Sequence, residues 1–413
     1  MQQARAIGGQ TFAALGNRNY RLYFLGQGIS LSGTWMQSVA QGLLVLHLTG
    51  SGTTLGLITA LQTLPVLLFG AWGGVIADRL PKRSILLATQ TASGLLALAM
   101  GILVATGAIR IWMVGVLAVL LGMVTTVDNP SRQTFVLEMV GHDQLVNAVS
   151  LNSTEINLAR VIGPTLAGVL IATTGLAVCF LLNAVSFVAV IVVLLMMDVS
   201  ALRPTPLARR AKGQLAEGLR YVRGQPMIRD ALVMMAIIGM LTYEFTVTLP
   251  LFAEHTFGSG ASGYAAMTAA MGLGAVFGGL WTASHAGVTA VRVVRAAAVF
   301  GVSTLLAAAA PTLTLALVAL LAVGFCSISF LSLANSTLQL ESAPEMRGRV
   351  MALWTVAFLG STPIGGPLVG WIGEHVGARE ALALGGVAAL LAAALGMTTI
   401  ARHAAADEPV AVP

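Results

Sequence analysis

Apolar runs of about 20 residues, almost free of charge, recur from one end of this chain to the other, and nothing else in it constrains the fold so strongly. As helices, runs of that length match a hydrocarbon layer roughly 30 Å thick. Lipid offers peptide groups no hydrogen-bond partner, so only helices or closed barrels cross it, and these runs lack the period-two alternation of barrel strands. Charged residues make up 9% of the chain, against roughly 25% in a soluble domain. An all-α membrane protein is therefore expected.

Twelve spans can be delimited: Phe24 to Leu48, Thr53 to Ala77, Ser84 to Thr106, Ile111 to Val127, Ala148 to Thr173 and Leu176 to Met197, then Ala231 to Ala253, Gly263 to Ser284, Val293 to Ala310, Leu313 to Leu333, Val350 to Ile372 and Ala381 to Ile400. An even number puts both termini on one side, and basic residues beside spans are retained in the cytoplasm. With the termini inside, Arg5, Arg18, Arg21, Arg79, Lys82, Arg83 and Arg132 are cytoplasmic. So are Arg203, Arg209, Arg210, Lys212, Arg220, Arg223, Arg229, Arg292, Arg295, Arg347, Arg349 and Arg402, making nineteen of the 22 Lys and Arg. The net charge of +6 is thus a topology signal and not a nucleic-acid footprint. The first 21 residues hold no compact apolar stretch with a cleavage site, so no removable signal peptide is expected. Cys179 and Cys326 lie alone in apolar runs, which makes them packing residues and leaves a disulfide or metal site unsupported.

The longest polar stretch, Asp198 to Asp230, reads as a cytoplasmic linker, residues 198–230, between six-helix halves at 1–197 and 231–413. Internal similarity supports the division. Phe69-Gly70 with Gly73-Gly74 in the second span resembles Phe277-Gly278-Gly279 in the eighth, and Gly163-Pro164 with Gly168 in the fifth resembles Gly366-Pro367 with Gly370 in the eleventh. Both are offset by about 205 residues, as in duplicated transporters with a site between their halves.

The most specific segment is Gly74-Val-Ile-Ala-Asp78-Arg79-Leu-Pro-Lys82-Arg83, after the second span. It resembles the G-x-x-x-D-R-x-x-R/K-R/K signature of the major facilitator superfamily, with Pro81 where many members have glycine. The resemblance implies twelve helices in two pseudo-symmetric halves. It also implies that Gly74 lets helices approach while Asp78, Arg79 and Arg83 join a charge cluster closing the cytoplasmic side. Further segments are similar to the transmembrane secretion effector branch, which includes enterobactin exporters and macrolide-efflux proteins: Asp128-Asn129-Pro130-Ser131-Arg132-Gln133, Leu145-Val146-Asn147-Ala148, Asn157-Leu158-Ala159-Arg160 and Arg347-Gly348-Arg349-Val350. Asp128, Arg132, Glu138, Arg347 and Arg349 would supply one charge cluster per half, paired when the gate is shut. The other reading is a set of solvated loop charges contributing about 0 to 1 kcal/mol per pair. Gly163-Pro164 with Gly168 resembles a motif associated with antiporters, where a missing N–H and small residues allow a kink and close helix contact.

Gln27, Ser30, Thr34, Gln37 and Gln41 in the first span are spaced by three and four, so they share one helical stripe. A hydrated, substrate-facing surface is the expectation there, with interhelical hydrogen bonding the alternative, which suits the shorter Ser329, Ser332, Ser336 and Gln339 stripe better. Ionisable groups inside spans mark candidate functional sites. Glu244, thirteen residues into the seventh span, should lie ~20 Å deep. It is the first candidate for proton coupling, because desolvation favours the protonated carboxyl and substrate arrival can expel the proton. A carboxylate satisfied by Tyr243, Thr248 or another helix is the alternative. Glu155, the second coupling candidate, is either substrate-specific or snorkelling. Arg160, ~140° from it around the helix, is a cavity or structural residue.

The function expected is export of a small molecule, a drug, siderophore or other natural product, by alternating access in exchange for protons. A proton-linked importer is the alternative, and a non-transporting receptor or scaffold ranks below both. No GxxxxGK[ST] segment supports ATP hydrolysis, and HExxH is absent with the six His scattered, so an enzyme is not expected. No cofactor is expected. The partners are substrate, protons and the lipid bilayer of a bacterial inner membrane, and a twelve-helix unit with its own cavity can work as a monomer.

Overall fold

The computed structural model describes residues 13–203, 214–284, 289–343 and 346–406. Arg5 and the basic linker residues Arg209, Arg210 and Lys212 lie outside these. The first six spans are α1 (Arg18–Thr49), α2 (Gly52–Arg79), α3 (Lys82–Ala105), α4 (Ile111–Val140), α5 (Leu145–Thr174) and α6 (Leu176–Met196). A linker helix, α7 (Gln214–Arg223), precedes α8 (Pro226–Leu241), α9 (Phe245–Leu251), α10 (Gly260–Ser284), α11 (Ala290–Ala309), α12 (Leu313–Glu341), α13 (Arg347–Leu359), α14 (Thr362–His375) and α15 (Ala378–Ala406). No strand occurs among the described residues.

Among the described residues, eleven segments are long and apolar enough to cross a membrane. The twelfth expected span is α1, whose 32 residues include the Gln, Ser and Thr stripe that lowers its hydropathy. Local chemistry sets its ends. Asn17 accepts the Tyr20 N–H at 3.2 Å, and Gly50, at φ 64°, returns its own N–H to the Leu46 carbonyl.

Several spans differ from the sequence expectation, the tenth among them, which runs past Leu333 to Glu341. The fourth span does not end at Val127 but runs to Val140, so Asp128 and Arg132 are helical and not in a loop. The seventh begins at Pro226, a residue suited to a first helical turn, inside the expected 198–230 linker. It is also interrupted at Thr242–Glu244, before α9 and a π-turn at Phe252–Thr256. β-branched and aromatic residues from Thr242 to Thr248, followed by Pro250, have poor helix propensity. The eleventh is split by Gly360-Ser361, because Pro363 cannot donate a backbone N–H.

Contacts divide the chain into two units, Met1–Gly50 with Leu61–Arg209 and Ser51–Ala60 with Arg210–Pro413. In the first, α1 packs on α5 and α6, and α3 on α4 and α6. In the second, α8 packs on α15, α10 on α12, and α11 on α12 and α15. The third-with-sixth and third-with-fourth pairings of one unit therefore recur as ninth-with-twelfth and ninth-with-tenth in the other.

The repeated glycines play matching parts. A Cβ on Gly73 of α2 would strike the Thr126 carbonyl of α4, and one on Gly278 of α10 would strike the Phe325 carbonyl of α12. Gly163 of α5 lies against Ser32 and Trp35 of α1, and in α14 it is Gly365, the neighbour of the repeat's Gly366, that lies against Met240 of α8. Backbones approach this closely only where side chains are absent, which is how helices associate when lipid provides no hydrophobic drive. Cys179 and Cys326 are both buried and unpaired, consistent with packing.

Gly278→Val should destabilise the purified protein by about 1 to 3 kcal/mol, as overpacking does. Gly279→Ala, next to it with open space at its Cβ, should not. Thermal unfolding in detergent should show a lowered Tm for the first variant only.

Candidate functional site

Glu244 sits at the interruption of the seventh span, roughly midway along Pro226–Thr256, and is 2% exposed. Its main chain departs from the helix at ψ 36° while its carbonyl starts the next turn, accepting from Val247 N and Thr248 N at 2.9 Å. The second interrupted helix meets it there. Oε1 lies 3.1 Å from where a Gly365 Cβ would be and Oε2 3.6 Å from that of Gly366, so two glycines of α14 make room for the carboxyl. Oε1 is buried with no hydrogen-bond partner.

Neither partner expected from the sequence satisfies the carboxyl. Tyr243 donates its hydroxyl to the Ser327 carbonyl at 2.7 Å within an aromatic cluster of Phe245, Phe300 and Phe358, and Thr248 donates to the Glu244 carbonyl at 3.2 Å. Gly366 entered the sequence reading only as part of a repeat, and Gly365 and the place of both beside Glu244 escaped it. The breaker run Gly360-Ser361-Thr362-Pro363 was the available signal, an eleventh span that could not be continuous.

The charges of the first unit form a buried network and are not solvated loop charges. Asp128 accepts from the Thr89 hydroxyl at 2.6 Å, Gln90 Nε2 at 2.9 Å, and Arg132 Nε and Nη2 at 3.1 and 2.5 Å. One helical turn separates Asp128 from Arg132, so the extension of α4 past Val127 is what pairs them. Lys82 and Glu138, each nearly enclosed, lie 3.7 Å apart. Thr89 and Gln90 were not foreseen, because hydroxyl and amide residues in an apolar run carry no mark of their partner.

Of the motif residues, Gly74 is buried and Arg79 exposed, while the Asp78 side chain lies outside what the structure describes. Arg83 turns to α6, donating Nε to the Leu194 carbonyl at 2.7 Å and Nη2 to the Leu195 carbonyl at 3.5 Å. In the second unit Arg349 pairs with Glu217 of the linker helix at 2.8 Å, and Arg347 is exposed.

The polar stripe of α1 is largely turned into protein. Gln27, Ser30 and Gln37 are buried, so in this structure they do not face water, and Gln37 Oε1 accepts from Asn183 Nδ2 of α6 at 2.7 Å. Gln41 donates to Gln62 of α2 at 3.0 Å, and Thr34 remains exposed. Interhelical bonding therefore describes Gln37 and Gln41 better than a hydrated face does, while Gln27 Oε1 is buried with no hydrogen-bond partner. Ser329 likewise accepts from Thr282 of α10 at 3.2 Å.

Arg160 places its guanidinium 5.0 Å from the centre of the Trp35 ring, beside the close contact of Gly163 with α1. Pro164 lies inside α5, which continues past it, and Gly168 is buried. Glu155 is 5% exposed, too enclosed to snorkel.

Comparison with known proteins matches residues 9–411 to the family described as transmembrane secretion effector. The multidrug efflux pump Tap of Mycolicibacterium fortuitum is 27% identical over 83% of this chain and 87% of that protein. The enterobactin exporter EntS of Citrobacter koseri is 24% identical over 95% and 94%. The staphyloferrin A transporter of Staphylococcus aureus is 30% identical, but the match spans 42% of this chain and 44% of that one. In fold, the chain is similar to a bacterial homologue of the lysosomal transporter Spinster, with TM-score 0.72 at 14% identity, 93% of this chain and 97% of that one being covered. The nucleoside transporter NupG gives TM-score 0.70 at 14% identity, with 92% and 98% covered.

Asp128→Ala should strand the Arg132 guanidinium without its anion, at a cost of about 3 to 5 kcal/mol. Thermal unfolding should show a large drop in Tm, partly recovered in the double variant Asp128→Ala/Arg132→Met, which removes both charges.

Proposed function

The chain belongs to the transmembrane secretion effector family, and from that premise we propose that it exports small molecules from a bacterial cytoplasm in exchange for protons. The observation that carries the reading is the Glu244 carboxyl, enclosed where two interrupted membrane helices cross and lacking a partner for one oxygen. Broken spanning helices are tolerated only where protein or a water-filled cavity takes up the freed peptide groups, and in transporters they frame binding sites. A carboxyl that alternates between sealed and wetted surroundings exchanges a proton at each change, since its anion needs water or a cation.

Names of relatives add the direction and the class of cargo. Tap and EntS are named as an efflux pump and an exporter, so a drug, siderophore or other natural product is the substrate class that suits this chain. The six-helix halves at 1–197 and 231–413 would rock about the site, with Asp78, Arg79, Arg83, Asp128, Arg132, Arg347 and Arg349 at the cytoplasmic gate. Charge asymmetry supports cytoplasmic termini: nineteen of 22 basic residues fall on that side. A single chain supplies every element of the cycle.

Flux into proteoliposomes with an imposed pH gradient tests the reading, using dyes, antibiotics and a siderophore. Wild type should move at least one substrate against the proton flow. Glu244→Gln should lose gradient-driven accumulation while retaining exchange of labelled for unlabelled substrate. Movement indifferent to both the gradient and the substitution would remove the coupling role, and substrate moving with the protons would make the protein an importer.

A further inference from the structure

The first unit holds a crevice of about 660 Å³ between α1, α5 and α6, walled by apolar residues such as Ile29, Met36, Leu158, Ile162 and Leu182. That is the size of a site for a drug-like molecule. Its rim is open: Ile29 is 56% exposed and Leu158 52%. One ionisable group lines it, Glu155, which is 95% buried by contrast. Gly28 makes the room for that carboxyl, since a Cβ there would come within 2.9 Å of Oε1. Oε1 is buried and has no hydrogen-bond partner. Arg132 of α4 gives Nε and Nη2 to Asp128 and makes no hydrogen bond to Glu155.

We infer that this crevice binds lipophilic monovalent cations, with Glu155 as the counterion. A carboxylate enclosed by hydrocarbon is costly unless a positive charge meets it. The walls exclude the alternatives on chemical grounds. A small inorganic cation would have to exchange its water for one carboxylate and the hydroxyls of Ser32, Thr154 and Ser186, each already donating to a main-chain carbonyl. An acyl chain would fill the apolar volume but leave the carboxyl unmet. A cation with its charge spread under an apolar shell, such as a hydrophobic amine or phosphonium, loses little hydration on entry and satisfies both walls and carboxyl. The open apolar rim lets such a molecule enter sideways along a membrane-length helix.

The test is equilibrium dialysis of radiolabelled tetraphenylphosphonium against the purified full-length protein in detergent, with tetraphenylborate as a probe of nearly the same shape and opposite charge. Wild type should bind the phosphonium saturably, and Glu155→Gln should bind it at least about tenfold more weakly, the scale expected when one partner of a buried pair is lost. The borate should bind wild type no better than it binds Glu155→Gln. Leu158→Trp, which fills the crevice from its exposed edge and keeps the carboxyl, should also lose phosphonium binding, so the outcome does not hang on one variant's folding. Equal affinity of wild type for the two ions would mark a charge-blind, lipid-filled crevice and overturn the proposal, as would unchanged phosphonium binding in either variant. Binding requires no gradient, so a failed export assay leaves this result standing and the converse holds as well.

Discussion

In a bilayer each peptide group that loses its helical partner costs several kcal/mol unless something replaces it. The rest of this molecule follows from how that demand is met. Where helices are unbroken the demand is met locally, and side chains are left to packing. Where α8 gives way to α9 and α13 to α14, local chemistry closes the ladder again: Tyr243 N reaches the Ile238 carbonyl and Gly365 N reaches the Ser361 carbonyl, while the Thr242 hydroxyl ties the first break to the Gly385 carbonyl of α15. Such repairs hold an irregular backbone in place, and the space they leave is where Glu244 sits.

Three of the four carboxylates buried among the described residues illustrate how surroundings divide one chemical group into different roles. Asp128 accepts four hydrogen bonds, two of them from a guanidinium, and is a fixed structural anion. Glu244 and Glu155 each keep an unmet oxygen, one at a helix crossing and one in a crevice. A saturated carboxylate has nothing to offer a proton or a ligand, whereas an unsaturated one gains from either. Position in a span, which is all that sequence reveals, does not distinguish them.

The helical class and the order of the spans were legible because hydropathy and length report directly on the bilayer. The glycine repeat of the second and eighth spans was legible too, since Gly73 and Gly278 make matching close contacts, whereas in the eleventh span the helix contact on α8 falls to Gly365, next to the Gly366 of the repeat. Partners across helices were not. Nothing in the spacing of Gln37 announces Asn183, and nothing near Arg349 announces Glu217 in the linker helix. The end of α4 was misread for a physical reason: charges look like the limit of a span when counted one at a time, but Asp128 and Arg132 neutralise each other one turn apart and let the helix continue.

Arg83 carries two requirements that arise at different times. During synthesis a basic residue beside a span bears on orientation, and it does so before α6 has left the ribosome. Once α6 exists, the same guanidinium closes the last turn of that helix by binding the carbonyls of Leu194 and Leu195. Lysine would satisfy the earlier requirement as well as arginine does, but it has no planar fork to span two neighbouring carbonyls. The demand for arginine over lysine at this position therefore comes from the finished fold, while the demand for positive charge comes from the path by which the fold is reached.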